Sequence, residues 1–291
     1  MGSSNQFDGF GCAALRAVAF SCGMLVLGVG TPAQGAQAAS KAEAVLAKCA
    51  SDGKYAFVFF YRQGASAPGK MSVTANTSQT QQLRAVFDAA MEKVSAKALP
   101  VLVNVADASE TAVVQRFRVS RTPMPWVMAV APNGAITRGL NRFAERDLLN
   151  AFASPGMEKC LKSFQSKRPV LLCVQNAKTG SNEMAMKGVT DFLADTQFGK
   201  AADVVTVDPS DKAESDLFRK FKIDANTTEA LTVVLAPPGA VLASYRGATS
   251  KAALVAKVKA SASGCGSGCG AGGCKPAKKA PVWKNPTIKA L

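Results

Sequence analysis

The chain has 291 residues, 48% of them apolar and 19% charged, a globular composition with room for two ordinary domains. It contains no histidine, which removes the commonest general base, the Ser-His and Cys-His nucleophile pairs and every imidazole metal ligand, and so makes most hydrolase mechanisms poor fits. The net charge of +15 is unevenly placed, because from Lys251 onward there are eight lysines and no acidic residue.

At the N-terminus Arg16 precedes the apolar run AVAFSCGMLVLGVG, and TPAQGAQAAS then offers an A-x-A site at Ala36 and Ala38. Positive residue, short apolar core and small-residue site are the layout of a signal peptide over residues 1–38. The run is shorter than the roughly 20 apolar residues that span a bilayer. The expectation is export to the periplasm or the exterior with cleavage near Ala38. An uncleaved membrane anchor is the alternative, because Asp8 weakens the charge ahead of the run. Cys22 follows Phe20 and Ser21, a poor lipobox. Export would leave Cys49, Cys160, Cys173, Cys265, Cys269 and Cys274 where disulfides persist.

From residue 39 onward one order of elements occurs twice, about 105 residues apart. A helix ends at Lys48-Cys49, and a basic connection leads to the apolar strand YAFVFF. In the second copy the helix ends at Lys159-Cys160 and leads to PVLLCV. LPVLVNVADASETAVVQRFRV then parallels ADVVTVDPSDKAESDLFRKFKI: strand, acidic turn, amphipathic helix. PWVMAVAPNGAITRG parallels ALTVVLAPPGAVLASYRG, each a strand, a Pro- and Gly-containing turn and a second strand. FAERDLLNAFA and SKAALVAKVKA close the copies as helices. Strands alternating with helices and ending in one hairpin predict an α/β fold with a mixed sheet covered by helices on both faces. The boundaries read as 39–154 and 155–260, with a flexible basic Cys/Gly/Lys tail over 261–291.

This order, and above all FRVSRTPMPWVMAVAPNGAI, resembles the thioredoxin superfamily, across both copies. The resemblance implies two tandem thioredoxin-like domains. It also implies a Cys-x-x-Cys after the first core strand, where a helix N-terminus lowers the first thiol's pKa. Those positions fall at Ala65 to Pro68 (ASAP) and at about Ala177 to Gly180 (AKTG), neither with sulfur. The family's cis-proline has its counterpart in Pro125, eight residues before Asn133, with Pro123 the alternative. The loop Met124-Pro125 is therefore the expected peptide-binding element, pairing with an extended chain. In the second copy the place falls near Ala230, with no proline, and an ordinary trans loop is expected.

The cysteines leave several readings open. Cys173, inside PVLLCV, reads as a small core residue. Cys49 and Cys160 hold equivalent places, as a disulfide clamping the pair or as partly buried free thiols. The tail trio Cys265, Cys269 and Cys274 suits a disulfide or intermolecular crosslink, a soft-metal site for Cu(I) or Zn, or a redox shuttle. Asp107 with Glu110, and Asp208 with Asp211, read as helix caps rather than general acid/base pairs. The leading expectation is an exported, redox-inactive tandem module that binds a protein or peptide partner, tethered or crosslinked through its tail. A thiol-disulfide oxidoreductase or soft-metal handling protein working through the tail cysteines is the alternative. The lysines would suit an anionic envelope surface, whereas Trp283 is the tail's lone aromatic, so nucleic acid is disfavoured.

Overall fold

The structure is a computed structural model that describes residues 40–63 and 73–262; for residues 73–77 and 261–262 it describes the backbone alone. The first unit runs α1 (Lys41–Ser51), β1 (Tyr55–Tyr61), α2 (Val73–Val94), β2 (Ala98–Asn104), α3 (Thr111–Arg116), β3 (Trp126–Val130), β4 (Ile136–Leu140) and α4 (Glu145–Leu149). The second repeats it as α5 (Pro155–Gln165), β5 (Val170–Val174), α6 (Asn182–Leu193), β6 (Asp203–Val207), α7 (Ser215–Phe221), β7 (Leu231–Ala236), β8 (Ala240–Arg246) and α8 (Lys251–Ala262). The order of elements is the one expected from the sequence. Among the described residues no helix is long and apolar enough to cross a membrane. The signal-like segment and the tail lie outside the described residues.

Each unit holds a four-stranded mixed sheet, ordered β2-β1-β3-β4 and β6-β5-β7-β8. The first strand of each, β1 or β5, is central, parallel to one neighbour and antiparallel to the other. Side chains of a strand alternate between faces, so a strand covered on both sides must be apolar throughout. In β1, Ala56, Val58 and Phe60 pack against α1 and α3, while Tyr55, Phe57 and Phe59 pack against α2 and α4. In β5, Val170, Leu172 and Val174 face α5 and α7, and Leu171 and Cys173 face α6 and α8. The hairpin turn between β7 and β8 contains a cis Pro237–Pro238 bond, which the sequence reading did not anticipate.

The units meet through α5. Leu161 packs against the core on the α5 side of the second sheet and also against the α2/α4 core of the first. Phe152, in the connection, lies 4.7 Å from the Tyr55 ring and 5.6 Å from that of Phe57, centroid to centroid. The Tyr55 hydroxyl donates to Glu158 Oε1 at 2.5 Å and accepts from the Ala153 N–H at 2.9 Å. Gln165 reaches back to β4, where its amide bonds both the N–H (3.0 Å) and the carbonyl (2.7 Å) of Ile136.

Burial raises the pKa of Glu158 above its ordinary 4.5; the Tyr55 hydrogen bond opposes the shift, and the Glu214 carboxylate adds to it. A group whose folded pKa is raised contributes stability that is full below the unfolded value and is lost as pH rises through the folded one. Glu158 should therefore favour the folded state below about pH 4.5 and weaken it above its raised value. Glu158→Gln keeps an acceptor for Tyr55, so at pH 7 it should match or exceed the parent in urea unfolding. Its advantage should shrink as the pH is lowered toward 4.5; a variant clearly less stable at pH 7 would contradict this.

Candidate functional site

The place where a thioredoxin-type dithiol would sit follows the first strand of each sheet, at the entrance to the next helix. In the second unit a polar network holds it. Asn176 Nδ2 donates to Asp208 Oδ1 (2.8 Å), Thr179 Oγ1 to Asn182 Oδ1 (2.7 Å), and Asn182 Nδ2 to the Asn176 carbonyl (2.7 Å). Asp208 also accepts from the Ser210 hydroxyl and N–H, and these bonds, the side-chain one foremost, hold its pKa below the usual carboxylate range. In the first unit Asn104, at the end of β2, bonds both the N–H and the carbonyl of Gln63. Residues 65–68 lie outside the described residues.

The three described cysteines are buried free thiols. Cys49 is 2% exposed in the α1/α3 core of the first unit, and Cys160 is fully buried in the α5/α7 core of the second. The clamp considered between them is thus not formed: each helix turns its cysteine onto its own sheet, and Cys160 lies mid-helix because α5 continues to Gln165 instead of ending at Lys159-Cys160. Burial raises the pKa of Cys49 and pushes Cys160 and Cys173 up to about 12, so their thiolates are scarce at neutral pH. Cys173 is a core residue of β5, as expected. Cys265, Cys269 and Cys274, the soft-metal and crosslinking candidates, lie outside the described residues. Among the described residues no cluster of three metal-ligating side chains occurs.

The loop entering β3 contains the cis peptide bond Met124–Pro125, whereas the loop entering β7 at Ala230 is trans. The strand order and the mixed pairing, common to both sheets, decide the fold. Both units are thioredoxin-like. Their two loops differ in hydrogen bonding. In the second thioredoxin-like unit the Gly180 N–H donates to the Thr228 carbonyl at 2.8 Å, and the Ala230 N–H to the Gly180 carbonyl at 2.9 Å. The chain thereby pairs its own dithiol-position segment, strand-like, against the loop. In the first unit Pro125 replaces Ala230 and has no N–H to donate, so the second of those bonds is chemically unavailable. No backbone hydrogen bond joins Met124 to any described residue. Met124 is half-buried and Pro123 exposed.

Sequence reading missed a matched pair of buried carboxylates. Asp107 and Asp211 cap short 3-10 turns through the Ser109 and Ala213 N–H groups, as capping predicted. Glu110 and Glu214, three residues on, instead reach the first helix of their unit. Glu214, 3% exposed, accepts from the Gly156 N–H at 2.6 Å and from the Ser154 hydroxyl at the start of α5. Glu110 accepts from the Ala42 N–H of α1 at 3.4 Å, with Oε2 buried and unbonded. A carboxylate against a helix N-terminus satisfies orphan N–H groups and complements the dipole. The available signal was D-x-x-E in both copies, with S-x-A or S-x-G opening each first helix.

No protein-family model matches the sequence, and no curated protein is significantly similar to it. Among solved structures the chain is similar to the thioredoxin Deadhead of Drosophila melanogaster, at 17% identity and a TM-score of 0.27, covering 38% of this chain and 90% of that one. It is similar to the first two thioredoxin domains of Saccharomyces cerevisiae Eps1p, at 8% identity and a TM-score of 0.25, covering 75% and 94%. Human ERp44 aligns at 10% identity and a TM-score of 0.31, covering 75% of this chain; the match spans 53% of ERp44.

Proposed function

We propose that the protein is an exported binding module in which the first thioredoxin-like unit holds an extended segment of a partner protein at Met124-Pro125 without thiol chemistry of its own. The observation that carries this reading is the contrast between the loops. The second unit's loop is occupied by its own Gly180, while in the first Pro125 has no N–H for the equivalent bond and Met124 makes no backbone hydrogen bond to a described residue. Strand-like pairing supplies affinity through main-chain bonds, which fits a tolerant rather than a sequence-strict binder. Buried, high-pKa thiols support the redox-inactive part. The tail cysteines then serve as a crosslink or tether, and its lysines suit an anionic surface.

The test uses the purified protein and its Cys265→Ser/Cys269→Ser/Cys274→Ser variant, with an unfolded reporter polypeptide whose cysteines are permanently alkylated. Both proteins should bind the reporter, and hydrogen exchange at the Met124 amide should slow on binding. Neither should turn over a disulfide substrate. Disulfide turnover by the parent that disappears in the triple variant would favour the oxidoreductase alternative. Reporter binding without protection at Met124 would remove the loop from the mechanism.

A further inference from the structure

The two units differ at a depression of about 320 Å³ on the second sheet, lined by Phe221, Lys222, Ile223, Leu231, Val241 and Arg246, among others. The strand registers give Leu231, Val233, Val241 and Ser244 counterparts in the first unit. Met128 pairs with Gly139 there, as Val233 pairs with Ser244 here; Trp126 and Leu231 open the equivalent strands, and Ile136 matches Val241. In the first unit the Trp126 indole fills this place. It packs with Met128 and Ile136, and it lies so close over Gly139 that a Cβ there would be 2.8 Å from the indole ring. In the second unit Leu231 and Val233 are smaller than Trp126 and Met128, and the site is open. The same fold thus holds an aromatic ring in one copy and leaves its berth vacant in the other.

Three features bear on what would enter it. Val241 on its rim is 48% exposed, a large apolar side chain left to solvent. The Lys222 ammonium and the Arg246 guanidinium flank it, both exposed and neither paired with a carboxylate among the described residues. Asp224, the acidic lining residue, already accepts from the Asn226 N–H. The third feature is the edge strand itself. β8 pairs with β7 alone, whereas the corresponding strand β4 has Ile136 covered by the Gln165 amide. An extended segment laid along β8 would place alternate side chains on the face where the depression opens.

We propose that this depression and the β8 edge form a second recognition site, which takes an aromatic side chain from an extended, acidic segment of a partner protein. The ring fills the volume that Trp126 fills in the first unit, and neighbouring carboxylates meet Lys222 and Arg246. The site is independent of the Met124 loop, which lies in the other unit.

A short fluorescein-labelled peptide with one tryptophan set between aspartates, titrated into the purified protein and read by anisotropy, tests it. Saturable binding is expected, weakened by salt. Substituting alanine for the peptide's tryptophan, and Arg246→Glu in the protein, should each weaken binding by about tenfold or more. Leu231→Trp/Ser244→Gly, which rebuilds the first unit's filled arrangement, should do the same. Should that double variant fail to fold, Arg246→Glu, an exposed change, still decides. Absence of binding to the parent, or binding indifferent to Arg246→Glu, overturns the inference. Binding lost in Met124→Pro but kept in Arg246→Glu would assign the peptide to the first unit, overturning this site while leaving the proposed function intact.

Discussion

Gly188→Ala should lower the stability of the protein by about 3 kcal/mol, despite adding the best helix former to the middle of α6. Propensity alone predicts a gain of about 1 kcal/mol from that exchange. The local geometry reverses the sign. A Cβ at residue 188 would lie 1.8 Å from the Thr249 carbonyl oxygen and 2.5 Å from its carbon. Both are backbone atoms, so no rotamer change relieves the overlap; α6 and the segment entering α8 must move apart. That separation loosens Val189, Phe192, Leu254 and Val258, which close the α6/α8 side of the second sheet. In thermal unfolding the midpoint should fall by roughly 6–12 °C, at about 2–4 °C per kcal/mol for a chain of this size. A midpoint equal to or above the parent's would show that α6 and the Thr249 carbonyl do not approach so closely.

Glu214→Ala is the second large effect expected, at about 2–4 kcal/mol. It removes an acceptor that is 3% exposed and leaves the Gly156 N–H and the Ser154 hydroxyl without their partner at the start of α5. Hydrogen bonds to a charged group contribute about 1.5–3 kcal/mol, and orphaned buried donors add their own desolvation. Glu214→Gln keeps one acceptor oxygen and should cost less, about 1–2 kcal/mol. The first unit supplies an internal control. Glu110 makes a longer bond, 3.4 Å to Ala42, and its second oxygen is unbonded, so Glu110→Ala should cost clearly less than Glu214→Ala. Urea unfolding of the three variants gives the order; equal losses at the two positions would mean that capping of the first helix is not what these carboxylates do.

The fold was legible because the repeat states each element twice. A run such as YAFVFF or PVLLCV is apolar at consecutive positions only where both sheet faces are covered, and the alternation of helix and strand signals leaves few topologies. The proline before β3 was legible from its spacing to the PNG turn. Other features depend on contacts distant in sequence. Glu110 read as a local cap because an acidic residue after an Asp turn usually is one, and Glu214 drew no reading of its own; their true partners lie 68 and 58 residues away. Self-pairing of Gly180 with the Ala230 loop needs the three-dimensional meeting of two loops. The open berth beside Leu231 emerges only when the registers of the two sheets are matched, since Leu in place of Trp is an ordinary core exchange in the sequence. Cys49 and Cys160 looked pairable from equivalent positions, but equivalence across a repeat says nothing of proximity.

Leu161 belongs to two cores at once, and Tyr55, Phe152 and Gln165 fasten the same helix to the first sheet. The tandem is therefore poorly suited to act as two beads on a string. Whatever engages the Met124 loop and the β8 edge together meets a preset separation, not one that a linker can adjust. For a flexible tether, effective concentration declines gently as the span departs from the optimum; for a fixed one, a partner that fits both surfaces gains avidity and a mismatched one gains none. Discrimination between partners can then reside in the distance between the two contacts as well as in the contacts themselves.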